Sequence, residues 1–238
     1  MPLPSISTPT FELELPSTGK TINYRPFLVK EEKVLLYALE SEDTKQISNA
    51  VKNVIKSCVL TKGIKIESLP TFDIEYLFLN IRGKSVGEEI EVNLICPDDG
   101  ETFVPVNINV EEIKVQKNPD HDIHIQVDDK IMMEMKYPSL SEFIKQNFDV
   151  NETDPDKSFE VIASCISQIA TEEEVWTAED CTKKELIDFL EQMNSSQFKK
   201  IERFFATMPK LSHTVKLKNP NTGVESEVVL EGLASFFA

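Results

Sequence analysis

Hydrophobic and polar positions alternate along four stretches of this chain, each folded about a turn signal. Ile90, Val92 and Leu94 lead into Cys96-Pro97-Asp98-Asp99-Gly100, and Val104, Val106, Ile108 and Val110 lead out of it, which predicts a β-hairpin over residues 89–110. The layout returns near the C-terminus, with Val215 and Leu217 ahead of Asn219-Pro220-Asn221-Thr222-Gly223 and Val228 and Leu230 behind it. Phe11, Leu13 and Leu15 turn at Pro16-Ser17-Thr18-Gly19 into a returning strand over residues 21–29. Ile123, Ile125 and Val127 face Ile131, Met133 and Met135 across Asp128-Asp129-Lys130. The edges of such hairpins are places where another chain can add a strand.

Elsewhere the apolar period is that of a helix. Helices are predicted from Lys30 to about Glu40 and from Thr44 to Val59, the second with Ile47, Val51, Val54, Ile55 and Cys58 on one face. A third follows Pro70, with Thr71 as its cap and Ile74, Leu77, Phe78 and Ile81 sharing a face. Arg82-Gly83-Lys84-Ser85-Val86-Gly87 reads as the loop that ends it, a solvated turn in preference to an anion site, because no glycine-rich cradle opens a helix there. Past Tyr137-Pro138 the texture is helical. Capping boxes stand at Ser139 and Glu142, ahead of Phe143, Ile144 and Phe148, and at Thr182 and Glu185, ahead of Leu186, Phe189, Leu190 and Met193. Between them Phe159, Ile162, Ile166 and Ile169 form a helical stripe, and a last helix carries Phe198, Ile201, Phe204, Phe205 and Met208 up to Pro209.

The fold class is therefore α+β, several β-hairpins combined with helical segments. The expected division is an N-terminal arm and hairpin over 1–29, a helical segment over 30–87, central hairpins over 88–137, a helical segment over 138–210, and a C-terminal hairpin over 211–238 that pairs with 88–110. The first ten residues, with three prolines, read as an extended arm ordered only by a partner.

The two matching hairpins share the turn L-x-[C/N]-P-x-x-G, close to the C-P-x-C-G knuckle with which a zinc ribbon supplies two thiolates from one turn. The four ligand positions here hold Cys96, Asp99, Asn219 and Thr222. One thiolate and one carboxylate do not make a structural zinc site, since asparagine and threonine are poor zinc ligands, and no metal is predicted. Two readings stay open: a degenerate zinc-ribbon-like architecture without its metal, or unrelated hairpins with ordinary Pro/Gly turn chemistry. His121 and His124 lie three apart on a predicted strand, point to opposite faces, and are read as surface or pairing residues.

Charge narrows the partners. Lysine and arginine number 25 against 41 aspartates and glutamates, a net charge of −16, which argues against the phosphate backbone of nucleic acid and against an anionic membrane surface. No run approaches the roughly 18 apolar residues of a transmembrane helix, and no signal-peptide pattern opens the chain, so a cytosolic protein is expected. The four cysteines form no C-x-x-C pair, and the three in or beside helical patterns read as small buried hydrophobes. Acidic residues gather over 151–191, including Glu172-Glu173-Glu174 beside Trp176. That run reads either as a solvated helical face or as a docking surface for a basic partner anchored by Trp176. Phe236 and Phe237 must be buried in this chain or in a neighbour. Gly19-Lys20-Thr21 is not a phosphate loop, because Glu14 stands where the earlier glycine is needed and a strand follows. With no nucleophile and base set and no phosphate cradle, neither catalysis nor a cofactor is expected.

Leu15-Pro16-Ser17-Thr18-Gly19-Lys20, Arg25-Pro26-Phe27-Leu28-Val29-Lys30-Glu31-Glu32-Lys33, Lys84-Ser85-Val86-Gly87-Glu88-Glu89 and the closing Glu231-Gly232-Leu233 with Phe236-Phe237 resemble the baseplate hub proteins of T-even-like contractile-tailed phages. The likeness runs almost end to end, and the string beginning at Arg25 is its most specific part. It implies a non-enzymatic late protein, a hub subunit or hub assembly factor. Such a protein would contact other baseplate hub or hub-assembly proteins, in the host cytoplasm during assembly and in the virion tail baseplate if it is retained. Arg25, Phe27, Trp176, Phe236 and Phe237 are the partner-binding candidates. The alternative is an adaptor derived from a metal ribbon that binds another macromolecule.

Overall fold

The computed structural model describes residues 6–41, 43–139, 155–232 and 235. The protein is α+β and divides into two compact units, Met1–Gln116 with Lys210–Ala238, and Lys117–Pro209. The chain leaves the first unit at Gln116 and re-enters at Lys210, and these two residues are cross-strand partners. The second unit is thus an insertion between adjacent strands of the first.

In the first unit, β1 (Phe11–Glu14) pairs with β2 (Thr21–Tyr24). Next come α1 (Val29–Glu40), α2 (Thr44–Cys58) and α3 (Thr71–Val86). Helix α3 is the spine of the unit. It buries Phe72, Ile74, Leu77, Phe78, Leu79 and Ile81, side chains that point all round its axis, as befits a helix enclosed on every side. Thr71 is its first helical residue and not its cap, because Pro70 occupies the cap position and no side chain bonds there. The helix also continues through Gly83 to Val86, where a terminating loop was expected. A Cβ on Gly83 would come within 3.3 Å of Val110 Cγ1, so glycine here serves close packing. Lys84 is engaged by Glu88 and Glu111 and offers no anion site.

The matching hairpins follow. Strand β3 (Glu89–Ile95) pairs with β4 (Phe103–Asn109), and β5 (Lys114–Gln116), β10 (Lys210–Lys218) and β11 (Glu225–Glu231) form a sheet in the order β11-β10-β5. Their inward residues share one core: Ile90 and Val92 from β3, Ile108 from β4, Val215 and Leu217 from β10 and Leu230 from β11, with Leu79 of α3. Alternation in sequence places one face of each hairpin in that core and the other in solvent.

The second unit holds a four-stranded antiparallel sheet, in the order of β6 (His124–Gln126), β7 (Met132–Met135), β8 (Ile166–Ala170) and β9 (Val175–Thr177). It packs with α4 (Pro155–Ser164), α5 (Lys183–Glu191) and α6 (Ser195–Thr207) around Met133, Met135, Ile166, Ile169, Leu186, Leu190, Ile201 and Phe204. The stripe of Phe159, Ile162, Ile166 and Ile169 is half helix and half strand. Helix α4 stops at Ser164, and Ile166 and Ile169 are both buried from β8 although they are three apart, because the register with β7 shifts between Glu134 and Met135. Glu172-Glu173-Glu174 accordingly lie in the β8–β9 turn, closed by Thr171 N donating to Glu174 O at 2.8 Å, and not on a helical face. Thr182 and Glu185 form the expected capping box, and Asn194 with Gln197 forms another. Of the box expected at Ser139 and Glu142, Glu142 lies outside the described residues together with Phe143, Ile144 and Phe148, as does the start of the N-terminal arm.

Val92 and Leu217 are the test of the shared core, being 1% and 3% exposed. Val92→Asp or Leu217→Asp should each cost about 3 kcal/mol or more, read as a lowered urea midpoint, since an unpaired charge would be buried. Glu91→Lys, on the exposed face of the same strand, should stay within about 0.5 kcal/mol.

Candidate functional site

The two matching turns meet. Their backbones repeat one another: Gly100 N donates to Cys96 O at 2.9 Å and Gly223 N to Asn219 O at 2.8 Å, with both glycines at positive φ (69° and 74°). Between the turns, the Asn219 amide donates to Asp98 Oδ1 (3.0 Å), Asp98 Oδ2 (3.1 Å) and Asp99 Oδ2 (2.8 Å), and the Thr222 hydroxyl donates to Asp98 Oδ2 at 2.6 Å. Asn221 Nδ2 adds a bond to Thr102 Oγ1 at 3.0 Å. The Asn219 carbonyl oxygen is used as well, accepting from the Asn221 and Thr222 amides. All the polar atoms of a side chain that is 1% exposed are therefore satisfied.

The electrostatics favour this clasp over metal ligation. The Thr102 hydroxyl, the amides of Thr102 and Glu101, and the Asn219 amide hold the Asp99 carboxyl well below the usual carboxylate range. Hydrogen bonds from Thr222 and Asn219 lower Asp98. Cys96 is buried, and burial with the neighbouring Asp98 and Asp99 charges pushes its thiol up, away from the thiolate that a metal requires. At the positions where a ribbon turn carries ligands, Asn219 and Thr222 point hydrogens at carboxylates. No group of three His, Cys, Asp or Glu side chains among the described residues is arranged to hold a metal ion. Asp98, Thr102 and Asn221 are participants that ligand spacing alone does not reveal.

The other candidates separate into those committed to the fold and those left at the surface. Arg25 is committed: its guanidinium donates to Pro26 O (2.8 Å) and Glu31 Oε1 (3.0 Å) and reaches Cys58 Sγ at 3.8 Å. Burial works to raise the Glu31 carboxyl. The Arg25 bond, the Leu28 amide at 2.7 Å and the Arg25 and Lys30 charges outweigh it and leave the carboxyl lowered. Phe27 is half-buried, with its amide bonded to Ser85 Oγ at 2.9 Å. The surface of this region belongs to its neighbours. Leu28, Val29, Val34, Leu36 and Tyr37 are exposed, Val29 to 67% and Tyr37 to 69%, and Val29, Leu36 and Tyr37 share one face of α1.

In the second unit, Trp176 of β9 borders an apolar cleft of about 290 Å³ with Ile131, Ile169, Cys181, Leu186 and Phe189. Strand β9 is an edge, yet it is blunted. The ladder turns the N–H and C=O of Thr177 outward, and Asp180 takes both: Thr177 N donates to Asp180 Oδ2, and Asp180 N donates to Thr177 O, each at 3.0 Å. His124 sits exposed opposite Glu134 on β7, as a pairing residue. His121 instead is half-buried, with Nδ1 2.9 Å from Thr207 Oγ1 and Nε2 3.1 Å from Tyr137 Oη, and its ring lies against Phe204. It ties the first loop of the unit to the end of α6. Phe236 and Phe237 lie outside the described residues.

The fold and its clasp define a protein of β-hairpins and helices in which the ribbon-like turns serve architecture. Its sequence matches the family described as T4 bacteriophage base plate protein over residues 8–238, and the chain belongs to that family. It is a phage baseplate structural protein, a component of the virion tail. No curated protein and no solved structure matches the chain. Among the described residues, no helix is long and apolar enough to cross a membrane.

Asn219→Ala should lower stability by about 1–3 kcal/mol, read from urea unfolding, because it removes the donor that joins the two turns. The depressed carboxyls of Asp98 and Asp99 add stability that is complete above the ordinary aspartate pKa of about 4 and is lost as pH falls below it, since the unfolded chain then binds more protons. The acid slope of stability between pH 5 and 2 should therefore be shallower in Asn219→Ala than in the native protein.

Proposed function

We propose that this baseplate protein is a subunit or an assembly factor of the baseplate hub. It acts in the host cytoplasm during assembly through contacts with other hub proteins, without catalysis, cofactor or nucleic acid. The observation that supports this reading most is the apolar face of α1. Five large apolar side chains between Leu28 and Tyr37 are exposed, and they begin within the Arg25–Lys33 string that most specifically resembles hub proteins. Large apolar side chains exposed together on a folded unit are the kind of surface that another protein covers. Lys33 and Glu40, also exposed, stand between Val29, Leu36 and Tyr37 on the same face, which makes it a mixed apolar and charged surface.

The chemistry of the described residues supports a contact role in another way. Several carboxyls whose protonation is lowered are held by structural bonds: Glu31 by Arg25, Asp99 by Thr102, Asp180 by Thr177 and Glu185 by Thr182. The buried thiol of Cys58 is pushed up to about 11, first by burial, which leaves it without nucleophilic character at neutral pH.

The test is a phage carrying Leu36→Glu with Tyr37→Glu. Both residues face solvent, so the purified variant should unfold within about 0.5 kcal/mol of the native protein. It should nevertheless fail to co-purify with hub components, and cells infected with the mutant phage should accumulate no complete tails. Normal tail yield from that phage, or from one lacking the gene, would refute the hub role.

A further inference from the structure

The cleft beside Trp176 has features that the α1 surface lacks. Its lining is apolar apart from Thr171 and Glu185, and its volume of about 290 Å³ falls just below the range of small-molecule pockets while still admitting a large side chain. Its surroundings are strongly acidic. Glu172, Glu173 and Glu174 form the adjoining β8–β9 turn, and Glu179 follows β9; all four are exposed, and none has an ion pair among the described residues. Lys183, the cation just past Cys181, is already engaged by Glu160.

We propose that this cleft docks a bulky apolar side chain presented on a lysine- or arginine-rich segment of another protein. The lining selects the anchor, and the unpaired glutamates select its flanks by charge complementarity. The chain's own segment over residues 140–154 is a poor occupant, because it carries four carboxylates against one lysine and would meet the same glutamates with like charge. Strand addition is a poor mode of binding, because Asp180 occupies the outward groups of Thr177. The anchor therefore enters as a side chain, as aromatic-lined pockets at protein interfaces receive their hot-spot residues. This goes beyond the hub reading, since it names the chemistry of a partner at a surface on the other unit.

Trp176 is the single tryptophan of the chain, so its emission reports the cleft directly in the full-length protein. The probes are three end-blocked hexapeptides: Lys-Lys-Phe-Leu-Lys-Lys, its glutamate-flanked counterpart Glu-Glu-Phe-Leu-Glu-Glu, and Lys-Lys-Gly-Gly-Lys-Lys, which lacks the anchor. At low ionic strength the first should shift Trp176 emission saturably, and the other two should not. Binding should weaken about tenfold in the E172Q/E173Q/E174Q variant and on raising salt to 0.5 M, a concentration at which screening is nearly complete beyond roughly 4 Å. Those three residues sit in an exposed turn, so the variant keeps its fold, which its urea midpoint verifies. Absence of a saturable shift, an equal response to the glutamate-flanked or glycine peptide, or unchanged affinity in the triple variant would overturn the proposal. So would a red shift of the free protein's emission on replacing Phe143, Ile144 and Phe148 by serine, which would assign the cleft to the chain's own segment. None of these readouts depends on tail assembly. A silent cleft with Leu36→Glu/Tyr37→Glu phage still unable to build tails leaves the hub role standing, and the converse result leaves the cleft standing.

Discussion

The first unit depends on one long-range polar contact, the Asn219 amide held between Asp98 and Asp99 across 121 and 120 residues of sequence. Each hairpin forms its own ladder from local sequence. A two-stranded hairpin alone is marginal in water, and β3 with β4 is such a pair. What makes these hairpins stable is the core they share, and the clasp fixes which residues of one hairpin lie over which of the other. An amide does this with directional bonds and no net charge. The first turn carries the Asp98 and Asp99 charges and the second carries none, so the hydrogens of Asn219 and Thr222 hold those carboxylates by charge-assisted bonds while supplying the buried amide with partners.

The clasp also sets an order of events. Ile90, Val92 and Ile108 are made before the insertion of residues 117–209, whereas Leu211, Val215, Leu217 and Leu230 are made after it. The core beneath the clasp cannot close until the later strands exist, so the early hairpin waits with its apolar face open. Such non-local closure slows folding. The cross-strand pairing of Gln116 with Lys210 helps, because the two ends of the insertion are neighbours in one sheet, and an insertion that folds locally brings the late strands to the early ones.

Much of this was legible from periodicity. The alternation about Cys96 and Asn219 located both hairpins and their inward faces, and Thr182 with Glu185 marked a helix start that the structure bears out. The failures have physical causes. Ile166 and Ile169 keep helical spacing, but a register shift in the sheet lets a strand bury both. Gly83 looked like a helix stop, yet its missing side chain makes room for Val110. The capping box of Asn194 and Gln197 follows a rule that the sequence displays and was open to the same reasoning as Thr182. The role of Asp98 was less accessible. Ligand spacing directs attention to the first and fourth residues of each turn, and only three-dimensional proximity shows that the third carries most of the contact.

The Arg25–Lys33 string serves folding directly and, in the hub role proposed above, contact as well. Arg25 and Glu31 turn inward: the carboxylate accepts from the Leu28 amide at the start of α1 and from Arg25, which also reaches Cys58 at the end of α2. A buried pair of this kind contributes more to specificity of geometry than to net stability, because desolvation offsets much of its attraction. Its consequence is orientation. With Glu31 fixed inward, the helical period requires Val29, Leu36 and Tyr37 to face away from it, and burying those three would require Glu31 to leave its partners. The exposed apolar surface of α1 is thus a built feature held in place by a buried ion pair. In the proposed hub role, a partner covering it would meet a face whose orientation is already set, which would lower the ordering cost of binding.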